Sequence, residues 1–237
     1  LHLSAEKVRG NLLFRRREVW LPTLWGWAAM LLIVAGLGTV LLLNANRFLS
    51  LNEPARGPDG KGARILVVEG WLDPPELQQA IVAFRRGHYE RVLTTGGPIE
   101  EWHDVGGWKN FALRGAGLLR TQGLADVPII ALPAPETKQE RTYVSALMVR
   151  AWARQSGVKL DAIDLFSSGV HTRRSKLVFG MALGSGVEVG SMAAEPFEYD
   201  PVRWWTSSAG AKATMGEIVS LAWTGCCFWP ASPSAAN

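Results

Sequence analysis

Residues 162–183, AIDLFSSGVHTRRSKLVFGMAL, decide how the chain reads. The run 162–166 is apolar except for Asp164, which is the length and character of a buried strand. Ser167, Ser168 and Gly169 follow as small turn residues. His171, Arg173, Arg174 and Lys176 come next, and Leu177, Val178, Met181 and Ala182 then recur on one helical stripe. The stretch is therefore strand, tight turn, helix, with a histidine and three cations at the turn. In an open α/β sheet ligands sit outside the carboxyl ends of the strands. The unpaired N–H groups that open the next helix favour an anion there. Arg174 lies one turn before Leu177 and Val178, so it is expected to point toward the sheet edge, with Arg173 and Lys176 facing outward.

The same alternation extends in both directions. RILVVE at 64–69 reads as a buried strand, RVLTT at 91–95 as a second, 127–132 as a third and 186–189 as a short fifth. Between them lie helical stripes: Leu77, Ile81 and Phe84, ending at Gly87; Trp108, Phe111, Ala112, Gly115, Leu118 and Leu119; and Val144, Leu147, Met148, Ala151 and Trp152. Pro74 and Pro75 stand where a helix start tolerates proline. A last helix is expected around 211–223. This βαβα order predicts an α/β fold: a Rossmann-like, doubly wound, mainly parallel sheet with helices on both faces.

Before that domain, residues 24–43 carry no charge and are long enough to span a bilayer. Arg15, Arg16 and Arg17 precede the span and only Arg47 follows closely, so the positive-inside rule places the N-terminus in the cytoplasm. The apolar stretch is long for a cleaved signal peptide, and no clear small-residue cleavage site follows it. The expected organisation is a basic tail at 1–23, one transmembrane helix at 24–43, a linker at 44–62 whose part 50–62 (SLNEPARGPDGKG) is polar and rich in Pro and Gly, and a globular domain at 63–237. The tail holds five basic and two acidic residues, leaving +1 of the net +4 for everything else. That distribution argues against a nucleic-acid-binding body. The two cysteines, Cys226 and Cys227, are adjacent; neighbours rarely bridge each other, and no metal-ligand spacing exists, so neither a disulfide framework nor a metal site is expected.

Polar groups gather at the predicted carboxyl ends of the strands. Glu69 closes the first, Thr94, Thr95, Gly96 and Gly97 the second; Glu136, Arg141 and Thr142 follow the third; Ser167, Ser168 and His171 follow the fourth. Each has an ordinary structural role that would also explain it. Glu69 would serve as a cap partner, Gly96-Gly97 as a turn needing positive φ, Arg141 and Thr142 as helix-start residues, and His171 as a structural hydrogen bonder. Gly96-Gly97 is not a GxGxxG pattern and gives little support for a dinucleotide. Glu101, Trp102, His103 and Asp104 read as an exposed loop, and Trp204 and Trp205 as packing residues. Their convergence on one edge is a stronger signal than any single residue.

Four short motifs in this order, VVEGW at 67–71, TTGGP at 94–98, RTYVSA at 141–146 and GVHTRRS at 169–175, resemble the YdcF-like family, which includes SanA and ElyC. WWTSSAGAK at 204–212 and Glu217 are similar to one branch of it. The resemblance spans about residues 63–225. It implies a Rossmann-like domain behind an N-terminal membrane helix, placed in the bacterial envelope and tied to barrier or peptidoglycan-precursor functions. On the matching positions it implies roles for Gly70, Gly96, Gly97, Glu136, Thr142, His171 and Arg174. A nucleotide-like or S-adenosylmethionine ligand is associated with a soluble branch. This chain departs from that pattern after the first strand, where Glu69-Gly70-Trp71 and Pro74-Pro75-Glu76 replace a second Gly and a helix-start Arg, so the ligand does not carry over and no cofactor is assigned.

Two classes of function follow. One is an envelope enzyme, a hydrolase or transferase on a phosphorylated, lipid-linked or nucleotide-linked substrate. In it His171, with Glu69 or Glu136, would be the acid and base. Gly70, Gly96, Gly97, Arg141, Thr142, Ser167, Ser168 and Arg174 would hold the anion. The other is a non-catalytic ligand-sensing or assembly module using the same site. A methyltransferase is weaker, because an extracytoplasmic domain has little access to S-adenosylmethionine. The expected location is a bacterial inner membrane, single-pass, with the main domain periplasmic or otherwise extracytoplasmic.

Overall fold

The computed structural model describes residues 20–100 and 106–230. The basic cluster before the apolar segment and the loop residues Glu101 to Asp104 lie outside them. The chain divides into two compact units, Leu1–Leu41 and Leu42–Asn237. The first unit is described from residue 20 onward and is dominated by an apolar helix, α1 (Leu24–Leu49), which continues into the second unit. α1 is long and apolar enough to cross a membrane.

The second unit carries the α/β fold. Its elements are β1 (Ile65–Glu69), α2 (Pro74–Arg86), β2 (Arg91–Gly96), α3 (Phe111–Gln122), β3 (Ile129–Pro133), α4 (Arg141–Ser156), β4 (Ala162–Ser168), α5 (Thr172–Leu183), β5 (Glu188–Ala194) and α6 (Ser208–Cys227). All five strands are parallel, in the order β3-β2-β1-β4-β5. The strand order reverses between β1 and β4, which opens a crevice at their carboxyl ends. Val67, Val68, Leu93, Ile163 and Leu165 are buried on the central strands. Strands covered on both faces read as unbroken apolar runs rather than alternating ones.

The core forms two layers. Leu77, Ala80 and Phe84 of α2 and Ala116 and Leu119 of α3 pack with Leu66, Val68 and Val92 on one face. Ala146 and Val149 of α4 and Phe179, Ala182 and Leu183 of α5 pack with Val67, Leu93 and Leu165 on the other. The buried stripe of α5 is Ser175, Val178, Phe179, Ala182 and Leu183; Leu177, expected inside, faces solvent. The fifth strand runs to Ala194, well past its expected end at 189, because β4 offers partners as far as Ser168.

The boundary at Ala63 is also displaced. Residues 50–62 have linker composition, yet 53–57 within them are docked on β4 and β5. Glu53 exchanges backbone bonds with Ser191 (2.8 and 2.9 Å), and the Ala55 N–H donates to Asp164 Oδ1 at 2.6 Å. The Arg56 and Gly57 N–H groups donate to the Glu188 carboxylate. The edge of the sheet is thereby partly covered, around Ser191. Cys226 and Cys227 are joined to each other by a disulfide, against the expectation drawn from their adjacency. A bridge between neighbours closes no chain loop and adds no long-range cross-link.

Gly70 shows why composition alone does not separate a ligand glycine from a structural one. A Cβ on Gly70 would stand 2.1 Å from the Phe111 carbonyl oxygen, and one on Gly115 would stand 2.7 Å from the Gly70 Cα. The loop after β1 and α3 touch backbone to backbone there, and Gly70 does not line the cleft described below. Gly70→Ala is expected to cost about 2 kcal/mol through forced displacement of α3. A urea midpoint unchanged from wild type would refute that account.

Candidate functional site

The carboxyl ends of β1 and β2, the starts of α3, α4 and α5 and one side of α6 line a cleft of about 670 Å³. Its floor comes from Glu69 and Thr95, neighbours in register across β1 and β2. Glu69 is 2% exposed and Thr95 1%. The Ser167 hydroxyl donates to Glu69 Oε2 across the β1–β4 crevice, and the Ser175 hydroxyl lies 3.3 Å from Oε1. A carboxylate offers about four acceptor positions, so Glu69 keeps capacity for a ligand donor. The Thr95 hydroxyl has no hydrogen-bond partner among the described residues. A buried unpaired hydroxyl costs on the order of 1–3 kcal/mol, and this one belongs to a residue that lines the cleft.

One wall is the second strand's turn and the start of α4. Gly96 has φ 149°, and a Cβ there would lie 2.5 Å from the Phe111 Cβ, so only glycine brings the chain past α3. Gly97, by contrast, has room for a Cβ, with nothing closer than 3.9 Å. α4 opens at Glu140, which sits in the left-handed region (φ 57°, ψ 36°) and gives no side-chain cap. The first N–H groups of α4 are therefore not capped by that side chain, and Lys138, Arg141, Thr142 and Ser145 line the cleft beside them. This is the arrangement that favours an anion.

The opposite wall carries His171 and Arg174, and both bind Glu217 of α6, which lines the neighbouring hollow. Arg174 donates to Glu217 through Nε at 2.8 Å and a terminal nitrogen at 3.0 Å, a bidentate pair. His171 Nδ1 lies 2.8 Å from Glu217 Oε1 and 2.9 Å from an Arg174 nitrogen. The guanidinium can only donate, so Nδ1 bonds either as a donor to Glu217 or as an acceptor from Arg174, and the tautomer follows from which of the two it takes. Trp71 packs edge-on to the imidazole with ring centres 5.2 Å apart. Burial alone would raise the Glu217 carboxyl, but the bonds from His171 and Arg174 outweigh it and bring it down to about 2.

Several expected residues therefore meet here and others do not. Glu69, Gly96, Gly97, Arg141, Thr142, His171 and Arg174 share the cleft. Glu136 does not; it is exposed on the loop after β3, and Glu140 stands at the cleft instead. Ser167 lies beneath the floor on Glu69. Ser168 turns into a neighbouring hollow and donates to Glu76, whose carboxyl is raised above its ordinary value by burial. Arg174 points inward as expected, but its charge is matched by Glu217, so it orients His171 rather than offering a free cation. Arg173 and Lys176 are engaged elsewhere, with the Phe48 carbonyl and with Glu53.

Sequence reasoning gave Glu217 no role in the site from its own chemistry. The signal was present: it is the one carboxylate in α6, a helix otherwise made mostly of small and apolar residues. Arg114 was missed as well. It is 6% exposed and donates to the Gly70 and Leu72 carbonyls at 3.1 and 2.8 Å, fixing the loop that presents Trp71. Among the described residues no cluster of three or more metal-ligating side chains occurs. No protein-family model matches the chain, and no curated protein matches it either.

Proposed function

We propose that the protein is anchored in a membrane by α1 and that its α/β unit binds an anionic ligand in the cleft at the β1–β4 crevice. The observation that carries this reading is the Thr95 hydroxyl, buried and without a partner among the described residues, on a residue that lines the cleft beside Glu69. The uncapped start of α4, with Lys138 and Arg141, supplies positive potential for a phosphate or carboxylate. The floor supplies an acceptor and a hydroxyl for a neutral polar group attached to it. A phosphorylated, lipid-linked or nucleotide-linked compound has both parts. The resemblance to the YdcF-like family supports a place in the bacterial envelope, in peptidoglycan-precursor or barrier metabolism.

If the protein is a hydrolase or transferase, His171 is the proton acceptor and Glu217 holds the ring and balances the imidazolium that forms. A sensing or assembly role is the second reading. The close network of His171, Arg174 and Glu217 favours it, since all three groups already satisfy one another. The full chain in detergent, titrated with inorganic phosphate, sugar phosphates and nucleotides, separates the two. A rise in melting temperature with phosphate release supports the enzyme, and a rise without turnover supports the sensor. If none of the anions shifts the melting curve, the anion-binding reading fails.

The arginines at 15–17 support an N-terminus in the cytoplasm and an extracytoplasmic main domain. Alkaline phosphatase fused after Ala63 is then expected to be active in a bacterial host. An inactive fusion, with a cytoplasmic fluorescent fusion that glows, would reverse the orientation.

A further inference from the structure

The last turn of α1 belongs to the second unit and is fastened inside it. Asn46 is 3% exposed, and its amide nitrogen lies 3.3 Å from the Thr214 hydroxyl of α6 and 3.5 Å from the Tyr199 hydroxyl. Leu49 is 1% exposed. Arg173 clamps the same turn, with Nε 2.5 Å from the Phe48 carbonyl oxygen and its guanidinium over the Phe48 ring. The last turn of α1 is thus an integral part of the folded unit.

Around this junction large apolar side chains face outward. Phe48 is 56% exposed, Phe197 56%, Val202 75% and Trp205 45%. Phe48 is two residues from Asn46; Phe197 and Val202 flank Tyr199 within three residues. The loop that bears them is ordered by its own contacts. Asp200 accepts from the Val202 N–H at 2.8 Å and pairs with the Arg203 guanidinium at 3.0 Å. Trp204 is buried, and a Cβ on Gly210 would meet its carbonyl oxygen at 2.3 Å and the Tyr199 ring at 2.9 Å. The exposure is therefore held in place by the fold. Single apolar side chains on a surface need no explanation, whereas a cluster does. Tryptophan settles at the boundary between headgroups and hydrocarbon, and phenylalanine occurs beside it on the apolar faces that bury into that boundary.

We propose that Phe48, Phe197, Val202 and Trp205 form a collar that rests on the same bilayer α1 crosses, seating the second unit on the membrane surface. This rests on the reading of α1 as a membrane span. The occupant is lipid because the second unit's own first residues, Leu42 and Leu43, are exposed leucines that end the uncharged run 24–43, five residues before Phe48.

The test uses the full chain in phosphatidylcholine–phosphatidylglycerol nanodiscs, with Cys226 and Cys227 replaced by serine. Nitroxide labels are placed singly at Ile33→Cys, Phe197→Cys, Val202→Cys and Lys159→Cys. Lys159 lies before β4, at the other end of the sheet, with its side chain 84% exposed. Labels at 197 and 202 are expected to collide more with lipid-dissolved oxygen than with a water-soluble nickel chelate, as at 33, while the label at 159 shows the reverse. Water-like values at 197 and 202 with a lipid-like value at 33 overturn the collar and leave the anchor intact. A water-like value at 33 overturns both. Strong spin–spin broadening at 197 and 202 with two chains per disc, lost with one chain per disc, assigns the surface to a second copy and overturns the lipid assignment.

Discussion

Glu217→Ala is expected to lower the stability of the α/β unit by about 3 kcal/mol, because it leaves the Arg174 charge without its partner in a largely buried place. The side chains of His171, Arg174 and Glu217 are only 16%, 19% and 16% exposed, so solvent compensates little. Glu217→Gln keeps the shape and removes the charge, and it carries the pH dependence. The carboxyl falls from its ordinary 4.5 to about 2 on folding. Well above pH 4.5 the group is ionised in both states and its stabilisation is complete. As the pH drops the unfolded chain takes up the proton first, and the contribution fades until the folded carboxyl is itself protonated near pH 2. At about 1.4 kcal/mol per unit this amounts to about 3 kcal/mol. Glu76 and Asp164, both raised by burial, act in the opposite sense and add stability as the pH falls. The quantity to measure is therefore the difference in unfolding free energy between wild type and Glu217→Gln. It should shrink between pH 5 and pH 2, and a difference that stays constant over that range would remove the ion-pair account.

Thr95→Val should move stability and binding in opposite directions. The hydroxyl lacks a partner among the described residues, so replacing it with a methyl group of similar shape relieves an unsatisfied buried group. A gain of about 1 kcal/mol in stability is expected. A ligand that bonds to this hydroxyl loses one hydrogen bond, about 1.4 kcal/mol or tenfold in Kd. Thr95→Ser keeps the hydroxyl and is expected to retain affinity. Calorimetric titration with the sugar phosphate giving the largest melting shift, with inorganic phosphate as the minimal probe, reads both. If valine weakens neither probe, Thr95 does not face the ligand. If valine also destabilises, the hydroxyl has a bonding role in the free protein. A residue that improves binding at the expense of folding is the usual mark of a site kept for function.

About half of the cleft is legible in the amino-acid sequence. Residues at the carboxyl ends of buried strands must lie along one edge of a parallel sheet, whatever the strand order. That is why Glu69, Thr95, Gly96, Gly97 and His171 fall together. Glu136 fails by the same logic. The loop after β3 is long enough to turn it outward, and the chain returns to the cleft only at Glu140. Arg174 is assigned to the correct face of α5 by the helical period, but its partner is on a helix forty-three residues later in the chain. No local pattern reports such a pairing.

What the sequence determined by itself is therefore the set of elements, their alternation and the apolar helix ahead of them. These follow from short-range causes: continuous apolar runs for strands covered on both faces, a 3.6-residue period for helices, and proline and glycine at their ends. Tertiary structure alone decided three things. It set the order β3-β2-β1-β4-β5, which puts Glu69 and Ser167 in contact across the reversal point. It docked residues 53–57, inside a segment of linker composition, on β4 and β5 through Asp164, Glu188 and Ser191. And it brought α6 against the start of α5, so that Glu217 neutralises Arg174. Each depends on contacts between residues far apart in the chain, whose free energy comes from burial and charge pairing rather than from local conformational preference.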